Sequence, residues 1–320
     1  MNKFISIIIV NYNGKKWLKK VLDSLSCQTY KNFEIIFVDN KSIDESVEFV
    51  AENYPKVNII KSEKNLGFSG GNNLGIKVAK GEYILLLNND TWLDNNFLEK
   101  IVTFYEKSNY DIVCAVEADY YTKECQVYTN LLDPFGHYVY IKGGDGSREF
   151  YLSASCLFFN KNIYYETRGL DENFFMYAED WDWFWRIQLL GKKIFKINDL
   201  KFYHLGAGST GTGIKYHSFL WRNQNALQML LKNYRWYNLL WVLPIYFAQN
   251  IVEIIFFLIT FKPKIAYSYI EGWAFNIKNF KKIMDKRKWV QENRKVGDWG
   301  IIKKMYVGFA KFRHLVNFYK

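Results

Sequence analysis

A short run of amide and carboxylate side chains follows a strongly apolar segment in the first third of the chain. Residues 83–87 read YILLL, and Asn88, Asn89 and Asp90 come directly after them. The apolar run is typical of a β-strand that is buried on both faces. Because open α/β sheets bind ligands at the carboxyl ends of their strands, these three side chains are candidates for binding or catalysis. The plainer alternative is a strand-to-helix turn in which Asp90 or Thr91 merely caps the helix predicted over 95–107.

A second acidic pair, Glu179 and Asp180, precedes an aromatic-rich segment of the sequence WDWFWR. The pattern predicts a helix that begins with two carboxylates, and the positive end of the helix dipole favours their ionised forms. An N-capping aspartate beside a solvent-exposed glutamate is the alternative that these residues leave open.

The first 116 residues alternate between strand-like and helix-like segments. Strands are predicted over 6–10, 33–38, 57–60, 83–87 and 110–116, and Ser42 with Glu45 predicts a capping box for a helix that ends at Asn53. A further strand is predicted over 150–159. Such alternation implies a mostly parallel sheet with right-handed crossovers.

Four polar loops then fall at one edge of the predicted sheet, at residues 11–13, 39, 65–73 and 88–90. The backbone amides of Gly70 and Gly71, at a predicted helix start, are candidates for holding phosphate oxygens. The glycines follow the third strand and do not form the GxGxxG pattern, which disfavours an NAD site.

The loops carry a resemblance to a known family. The matching segments are IIIVNYNG at 7–14, VDNKS at 38–42, residues 65–75 and LLLNNDT at 85–91. With them the sequence resembles the family-2 glycosyltransferases of the GT-A fold, especially the rhamnosyltransferase-like branch, over roughly residues 4–210. The resemblance implies an α/β fold with a Rossmann-like, mostly parallel central sheet flanked by helices, and a C-terminal helical extension.

The same resemblance implies roles for individual residues. The nucleotide site would comprise Val10, Tyr12, Asp39, Asn72, Asn73, Asn88 and Asn89. Asp90 and His204 would bind a divalent ion, Mn²⁺ or Mg²⁺, that bridges the donor diphosphate. Many relatives have two or three carboxylates where this chain has Asn88-Asn89-Asp90, so the diphosphate must supply further oxygen ligands.

On the acceptor side, the resemblance makes Asp180 the general base and assigns Glu179 and Trp181 to acceptor binding. His204 precedes a Gly/Ser loop, LGAGST at 205–210, that also matches the family. Residues 153–156 read SASC where relatives usually carry a GGAC-like turn, which leaves the donor sugar open.

Charge is unevenly distributed along the 320 residues. The net charge is +11, and residues 278–320 contribute about +10 of it, with thirteen Lys or Arg against three carboxylates. A basic segment of this kind can contact nucleic acid or an anionic membrane surface. The four cysteines form no CxxC pair and no signal peptide is expected, which favours a reducing cytoplasm.

A long apolar segment over 236–261 begins the C-terminal third, and it is interrupted by a narrow polar stripe of Gln249, Asn250 and Glu253. A central glutamate is costly in a spanning helix, so the stripe favours an amphipathic helix lying in the membrane interface. A helical subdomain packed on the catalytic domain or on a second subunit is the alternative.

Together these patterns predict a catalytic domain over 1–214 and a helical region for membrane association or oligomerisation over 215–320. Nucleotide-sugar binding falls in 1–116 and the acceptor side in 117–214. The predicted function is metal-dependent, inverting transfer of a sugar from a nucleotide diphosphate donor to a saccharide or lipid-linked saccharide. The predicted partners include an anionic membrane surface and a possible second copy but no nucleic acid, and the predicted location is the cytoplasmic face of the cell membrane. A sugar nucleotidyltransferase and a non-enzymatic nucleic-acid-binding protein are the alternatives.

Overall fold

The structure is a computed structural model that describes residues 3–125, 127–206 and 216–311. The strands within these residues are β1 Ile5–Asn11, β2 Phe33–Asp39, β3 Asn58–Lys61, β4 Tyr83–Leu87, β5 Thr91–Trp92, β6 Ile112–Asp119, β7 Tyr128–Leu132, β8 Tyr138–Lys142, β9 Cys156–Asn160 and β10 Ile194–His204. The helices are α1 Lys15–Ser26, α2 Ser46–Asn53, α3 Gly67–Val78, α4 Phe97–Lys107, α5 Lys161–Thr167, α6 Glu179–Leu189, α7 Tyr216–Asn233, α8 Trp236–Ile259, α9 Pro263–Lys278, α10 Phe280–Asn293 and α11 Asp298–Ile302.

The chain forms two compact units. The first comprises the described residues of Met1–Thr129, Lys142–Phe175 and Lys193–Thr212. The second comprises those of Asn130–Ile141, Met176–Lys192 and Gly213–Lys320. The assignment of 117–214 to the acceptor side and of 215–320 to membrane association or oligomerisation stays a prediction.

The first unit is built on one sheet whose strand order, over the described residues, is β3-β2-β1-β4-β9-β6-β10-β5. β1 pairs in parallel with β2 and β4, and β6 pairs in parallel with β10. β9 is antiparallel to β4 and β6, and β5 is antiparallel to β10. The predicted fold class, a mostly parallel sheet flanked by helices and followed by C-terminal helices, is confirmed.

The centre of this sheet is buried because its strands are apolar on both faces. All five residues of β4 are buried, as the uninterrupted apolar run predicts. α1 covers one face with Trp17, Leu18, Val21, Leu22 and Leu25, which recur at helical spacing and are all buried. This packing holds the carboxyl ends of β1, β2 and β4 at one edge.

Two local predictions are wrong. α2 begins at Ser46, and Glu45 at its N-cap has a left-handed backbone, so Ser42 and Glu45 do not form a capping box. The Ser42 hydroxyl instead accepts hydrogen bonds from the Asn11 side chain and the Asn13 amide. The strand predicted over 150–159 is confined to Cys156–Asn160, where β4 and β6 provide partners.

The second unit is largely helical, and α8 turns its polar stripe inward. Gln249, Asn250 and Glu253 are buried. Glu253 accepts a hydrogen bond from the Tyr269 hydroxyl at 2.9 Å and pairs with the Lys311 ammonium group. An interfacial helix of the kind predicted would expose this stripe to water, so its orientation was predicted wrongly.

Candidate functional site

The carboxyl ends of β1 and β2 place Asn11 and Asp39 side by side, because the two residues are partners in the parallel register. One carboxylate oxygen of Asp39, Oδ2, accepts the Ser42 amide at 3.0 Å. The other, Oδ1, is buried and has no hydrogen-bond partner among the described residues. A buried carboxylate oxygen without a donor is costly, which makes this atom a candidate acceptor for a ligand.

Asn40 provides a second such atom next to Asp39. Its amide nitrogen donates to the Gly67 carbonyl at 2.9 Å, which ties the end of β2 to the start of α3. Its Oδ1 is buried and, within the parts of the chain that the structure describes, also lacks a partner. The sequence analysis did not select Asn40.

Val10 and Tyr12 flank this position. Val10 is partly exposed, and the Tyr12 ring is 46% exposed beyond the end of β1. A Cβ on Gly71 would lie 2.6 Å from the Val10 side chain, so glycine is needed for α3 to approach β1. Gly70 and Gly71 lie inside α3, where helix hydrogen bonds occupy their amides. The predicted phosphate contact through these amides is therefore wrong.

Asn72 and Asn73 are buried on α3, and their amide groups already have protein partners. Asn72 donates to the Phe68 carbonyl at 3.0 Å. Asn73 donates to the Leu170 carbonyl at 2.8 Å and accepts the Leu170 amide at 3.3 Å. These bonds join α3 to the segment after α5, and nucleotide binding by the two residues stays a prediction.

Of the two asparagines after β4, Asn89 holds a neighbouring loop and Asn88 lies beside His204. Asn89 is buried and donates to Asn11 at 2.7 Å, so it fixes the loop after β1. Asn88 donates to the Ser155 hydroxyl at 3.2 Å, and its amide nitrogen lies 3.5 Å from Nε2 of His204. Asn88 thus lies beside the histidine, and nucleotide binding by both asparagines also stays a prediction.

Asp90 and His204 meet although they are far apart in sequence. His204 ends β10 and pairs with Thr91 of β5, which brings its Nε2 to 3.2 Å from an Asp90 carboxylate oxygen. Both side chains are largely buried. Burial lowers the pKa of His204, but hydrogen bonds to Asp90 and Glu117 outweigh it and raise the pKa to about 10. Of the predicted Gly/Ser loop after His204, residues 207–210 lie outside the described residues.

Glu117 is a second candidate site residue that the sequence analysis did not select. It lies on β6 next to β10, and its carboxylate is 3.0 Å from Nδ1 of His204. With the pKa raised, both ring nitrogens carry protons at neutral pH, and Nδ1 donates to Glu117 while Nε2 donates to Asp90. Loss of the Nε2 proton would free that nitrogen for a cation, and Glu117 would still hold the ring through Nδ1. The one available signal was an acidic residue in an otherwise apolar strand, VCAVEAD.

Glu179 and Asp180 open α6 in the second unit, as predicted, at the end where backbone amides point outward. Glu179 is buried and Asp180 is partly buried. Burial raises the pKa of both carboxyls, and repulsion from Asp180 raises that of Glu179 further. Oε2 of Glu179 has no hydrogen-bond partner among the described residues. An aspartate with a raised pKa is suited to accept a proton near neutral pH.

The neighbours of this pair on α6 have structural contacts. The Trp181 ring packs 5.3 Å from the Tyr138 ring. Asp182 is fully buried and pairs with Arg186 at 2.9 Å and with Lys232 at 3.0 Å. Asp182 therefore holds α6 to α7, and the role of Trp181 in acceptor binding stays a prediction.

Comparison with known families identifies the chain. The model of the family described as "Glycosyl transferase family 2" matches residues 6–167, just over half of the 320 residues. The chain belongs to glycosyl transferase family 2. The rhamnosyltransferase-like branch stays a prediction.

Two curated relatives and one solved structure resemble this family 2 member. The cholesterol galactosyltransferase of Borreliella burgdorferi is 31% identical over 162 residues, which cover 50% of this chain and 44% of the relative. The Escherichia coli UDP-Glc:alpha-D-GlcNAc-diphosphoundecaprenol beta-1,3-glucosyltransferase WfaP is 35% identical over 118 residues, covering 34% and 47%. The matches thus span less than half of each relative's length. A structure of GalNAc-T7 with UDP, GalNAc and Mn²⁺ aligns with a TM-score of 0.61 at 13% identity, covering 72% of this chain and 48% of that one, which supports the fold.

Proposed function

We propose that the protein is a metal-dependent, inverting glycosyltransferase that moves a sugar from a nucleotide diphosphate donor to an acceptor hydroxyl. One observation carries the proposal: the same edge of the sheet carries an oxygen of Asp39 that has no partner among the described residues and, farther along, the Asp90–His204 pair. The first arrangement suits the N–H or O–H groups of a nucleoside, and the second suits a cation that binds a diphosphate.

The residues present fit a divalent ion. A carboxylate oxygen and an imidazole nitrogen 3.2 Å apart form a donor set that suits Mn²⁺ better than Mg²⁺, which prefers oxygen ligands. Within the described residues, no group of three His, Cys, Asp or Glu is arranged to hold a metal by itself. Asp90 and His204 would therefore share the ion with diphosphate oxygens. When bound, the ion supplies positive charge that stabilises the departing nucleoside diphosphate.

The nucleoside part of the donor would bind beside Asp39. Its Oδ1, which no described residue contacts by a hydrogen bond, would accept one from the base or ribose, and the exposed Tyr12 ring offers an aromatic face on which a base can stack. Hydrogen bonds of Asn89, Asn40 and Ser42 fix the loops that carry these residues, so the loops are held in place before the donor arrives.

Asp39→Asn should weaken nucleoside diphosphate binding by about 10- to 100-fold, the scale of a lost hydrogen bond to a charged group. The reason is that the amide presents a donor in place of one carboxylate oxygen. Isothermal titration calorimetry measures the change. Asp23→Asn, which neutralises a half-exposed carboxylate on α1 that pairs with Lys19, is the matched control and should bind as the parent protein does. Equal affinities for the parent and Asp39→Asn would remove Asp39 from the nucleotide site.

Glu117→Gln should weaken Mn²⁺ binding in the presence of UDP by about tenfold, and Glu117→Ala by more, because a residue that orients a metal-binding histidine typically contributes 10- to 100-fold. Electron paramagnetic resonance of free Mn²⁺ gives the affinity without any sugar transfer. Glu124→Gln, an exposed glutamate in the turn after β6, is the control. Unchanged Mn²⁺ affinity in Glu117→Ala would show that the His204 ring needs no support from this residue.

Asp180 would remove the proton from the acceptor hydroxyl as its oxygen attacks the anomeric carbon. Attack from the face opposite the leaving group inverts the configuration at that carbon. Glu179 and Trp181 would contact the acceptor. Glu179 is buried beside Asp180, and its Oε2 has no partner within the part of the chain that the structure describes.

The acceptor that we favour is a saccharide carried on a lipid, in the assembly of a cell-surface polysaccharide or glycan. The name of WfaP, one of the relatives, describes glucosyl transfer to a diphosphoundecaprenol-linked sugar. A lipid-linked acceptor would place the protein peripherally on the cytoplasmic face of the membrane, and all four cysteines are free, as a reducing compartment allows.

Product analysis tests this function. The full chain is incubated with Mn²⁺, with UDP-, GDP- and dTDP-sugars in turn, and with short polyprenyl diphosphate-linked saccharides. We expect one donor to give a glycosylated lipid whose new linkage, by NMR, has the configuration opposite to that of the donor. A retained configuration would contradict inversion. Formation of a nucleotide-sugar from a sugar phosphate and a nucleoside triphosphate would support the nucleotidyltransferase alternative instead.

A further inference from the structure

α8 has an outer face that is entirely apolar. The outer face consists of Leu240, Pro244, Ala248, Ile251, Val252, Ile255, Leu258 and Ile259, all exposed. Exposure reaches 68% at Leu240 and 70% at Ile259, at opposite ends of the helix. Only one third of the most apolar stretch of α8 is buried, whereas a core helix of a soluble protein is mostly buried. An exposed apolar surface of this length marks a contact with another apolar phase.

The inner face of α8 is the more polar one. It consists of Asn238, Val242, Tyr246, Gln249, Asn250, Glu253 and Phe257, all buried. Asn238 donates to Asp298 at 2.6 Å, and Lys311 pairs with Asn250 and Glu253. The usual arrangement of a helix on a soluble protein is thus reversed, with the polar residues inside and the apolar residues outside.

The next helix repeats the arrangement. α9 packs against α8 and exposes Tyr267, Ile270, Ala274 and Ile277, which follow one another at helical spacing. Its buried residues include Ser268 and Asn276, and Asn276 donates to the Gln224 carbonyl at 3.0 Å. Both helices of this pair therefore bury polar residues and expose apolar ones.

Charge at the ends of the outer face identifies its partner. Residues 236–259 contain no Lys, Arg, His or Asp and a single Glu, the buried Glu253, whereas Arg235, Lys262 and Lys264 lie just beyond the two ends. Trp236 and Tyr237 begin the helix, and both are exposed. Aromatic and basic residues around an apolar face are the pattern of proteins that lie in an anionic membrane interface. A second copy packed antiparallel on this face would bring Arg235 close to Lys262 and Lys264 without an exposed carboxylate on the face between them.

We propose that the outer face of α8 inserts into one leaflet of an anionic bilayer, with the helix parallel to the membrane surface. The inner face contacts the protein along the length of the helix, from Asn238 to Phe257, which leaves one side for lipid and excludes a free spanning helix. The inference deepens the proposed peripheral location and rests on it. It does not depend on the donor or acceptor sugar.

Co-sedimentation of the full chain with phosphatidylglycerol/phosphatidylcholine vesicles tests the proposal without nucleotide or sugar, so its failure leaves glycosyl transfer untouched. We expect the protein to bind, and Val252→Asp to lower the partition coefficient by about tenfold or more, because a carboxylate must enter the apolar layer. Val78→Asp is the matched control: Val78 is 49% exposed on α3, Val252 is 46% exposed, and both substitutions leave the core intact.

Salt and oligomeric state complete the experiment. High salt should weaken binding of the parent protein, while the ratio between the parent and Val252→Asp persists, since the substituted contact is apolar. Equal binding of Val252→Asp and Val78→Asp would overturn the proposal, as would absence of binding to anionic vesicles. A dimer in vesicle-free buffer that Val252→Asp converts to a monomer, measured by light scattering, would also overturn it and assign the outer face to a second copy.

Discussion

Asp180→Asn is expected to lower kcat by about 10²- to 10⁴-fold, the range for loss of a general base, while nucleoside diphosphate binding is retained. The asparagine keeps the size of the side chain. Its carbonyl oxygen can still accept the hydrogen bond that the Trp181 amide donates to Asp180 at 2.9 Å. It cannot take up a proton at neutral pH. Steady-state rates with the donor found by product analysis, together with calorimetric binding of the corresponding nucleoside diphosphate, measure both parts.

Asp182→Asn, on the same helix, is the control, because we expect it to lower stability and leave turnover unchanged. Asp182 neutralises Arg186 and Lys232 in the interior, and loss of one partner of a buried ion pair costs about 3–5 kcal/mol of unfolding free energy. We expect this variant to melt at a lower temperature and to keep the turnover of its folded fraction. Asp180→Asn should melt near the parent temperature. Near-normal kcat in Asp180→Asn would remove that residue from the mechanism.

Asp90→Asn is expected to abolish the part of nucleotide affinity that depends on metal, a loss of about 100-fold, with a comparable or larger loss of kcat/KM. The asparagine fits the same space, but a neutral amide is a much weaker ligand for a hard cation than a carboxylate. It also removes one of the two carboxylates beside His204. Titration of UDP with Mn²⁺ and again with EDTA separates the two contributions.

Asp94→Asn is the matched control for that experiment. Asp94 accepts a hydrogen bond from the Tyr203 hydroxyl at 3.2 Å, one residue before His204, and Asp94 itself takes no part in the Asp90–His204 pair. Affinity in EDTA should be the same for the parent and Asp90→Asn. If Asp90→Asn weakens UDP binding equally with EDTA, the residue supports the fold and not the metal.

Local patterns predicted the centre of the sheet and α1 because burial there follows directly from residue type. β4 is apolar throughout, and α1 repeats its apolar residues at helical spacing. Ser42 was misassigned because the pairing of β1 with β2 brings Asn11 and Asn13 to its hydroxyl, a contact that the 42–45 pattern cannot reveal. Residues 150–155 read as strand, but ladder partners begin only at Cys156.

The site was predictable where a strand end coincides with a polar residue, as at Asp39 and Asp90. Glu117 could not be predicted in this way, because its candidate role depends on contact with His204, 87 positions later in the sequence. That contact exists only because β10 pairs with β6. The polar stripe of α8 was recognised but placed on the wrong side. The spacing of residues in the sequence shows that the helix has two unlike faces. Which face is buried depends on the residues that pack against it, here Tyr269 and Lys311.

Thermal unfolding with a panel of nucleoside diphosphates and their sugars, each with and without Mn²⁺, tests the central claim most directly. A ligand at 100 times its Kd stabilises the folded state by about 2.7 kcal/mol, which shifts Tm by several degrees. We predict that at least one of UDP, GDP and dTDP raises Tm, that Mn²⁺ enlarges the shift, and that Asp90→Asn removes the enlargement. No shift with any nucleotide, with or without Mn²⁺, would contradict a nucleotide-sugar site at this sheet edge.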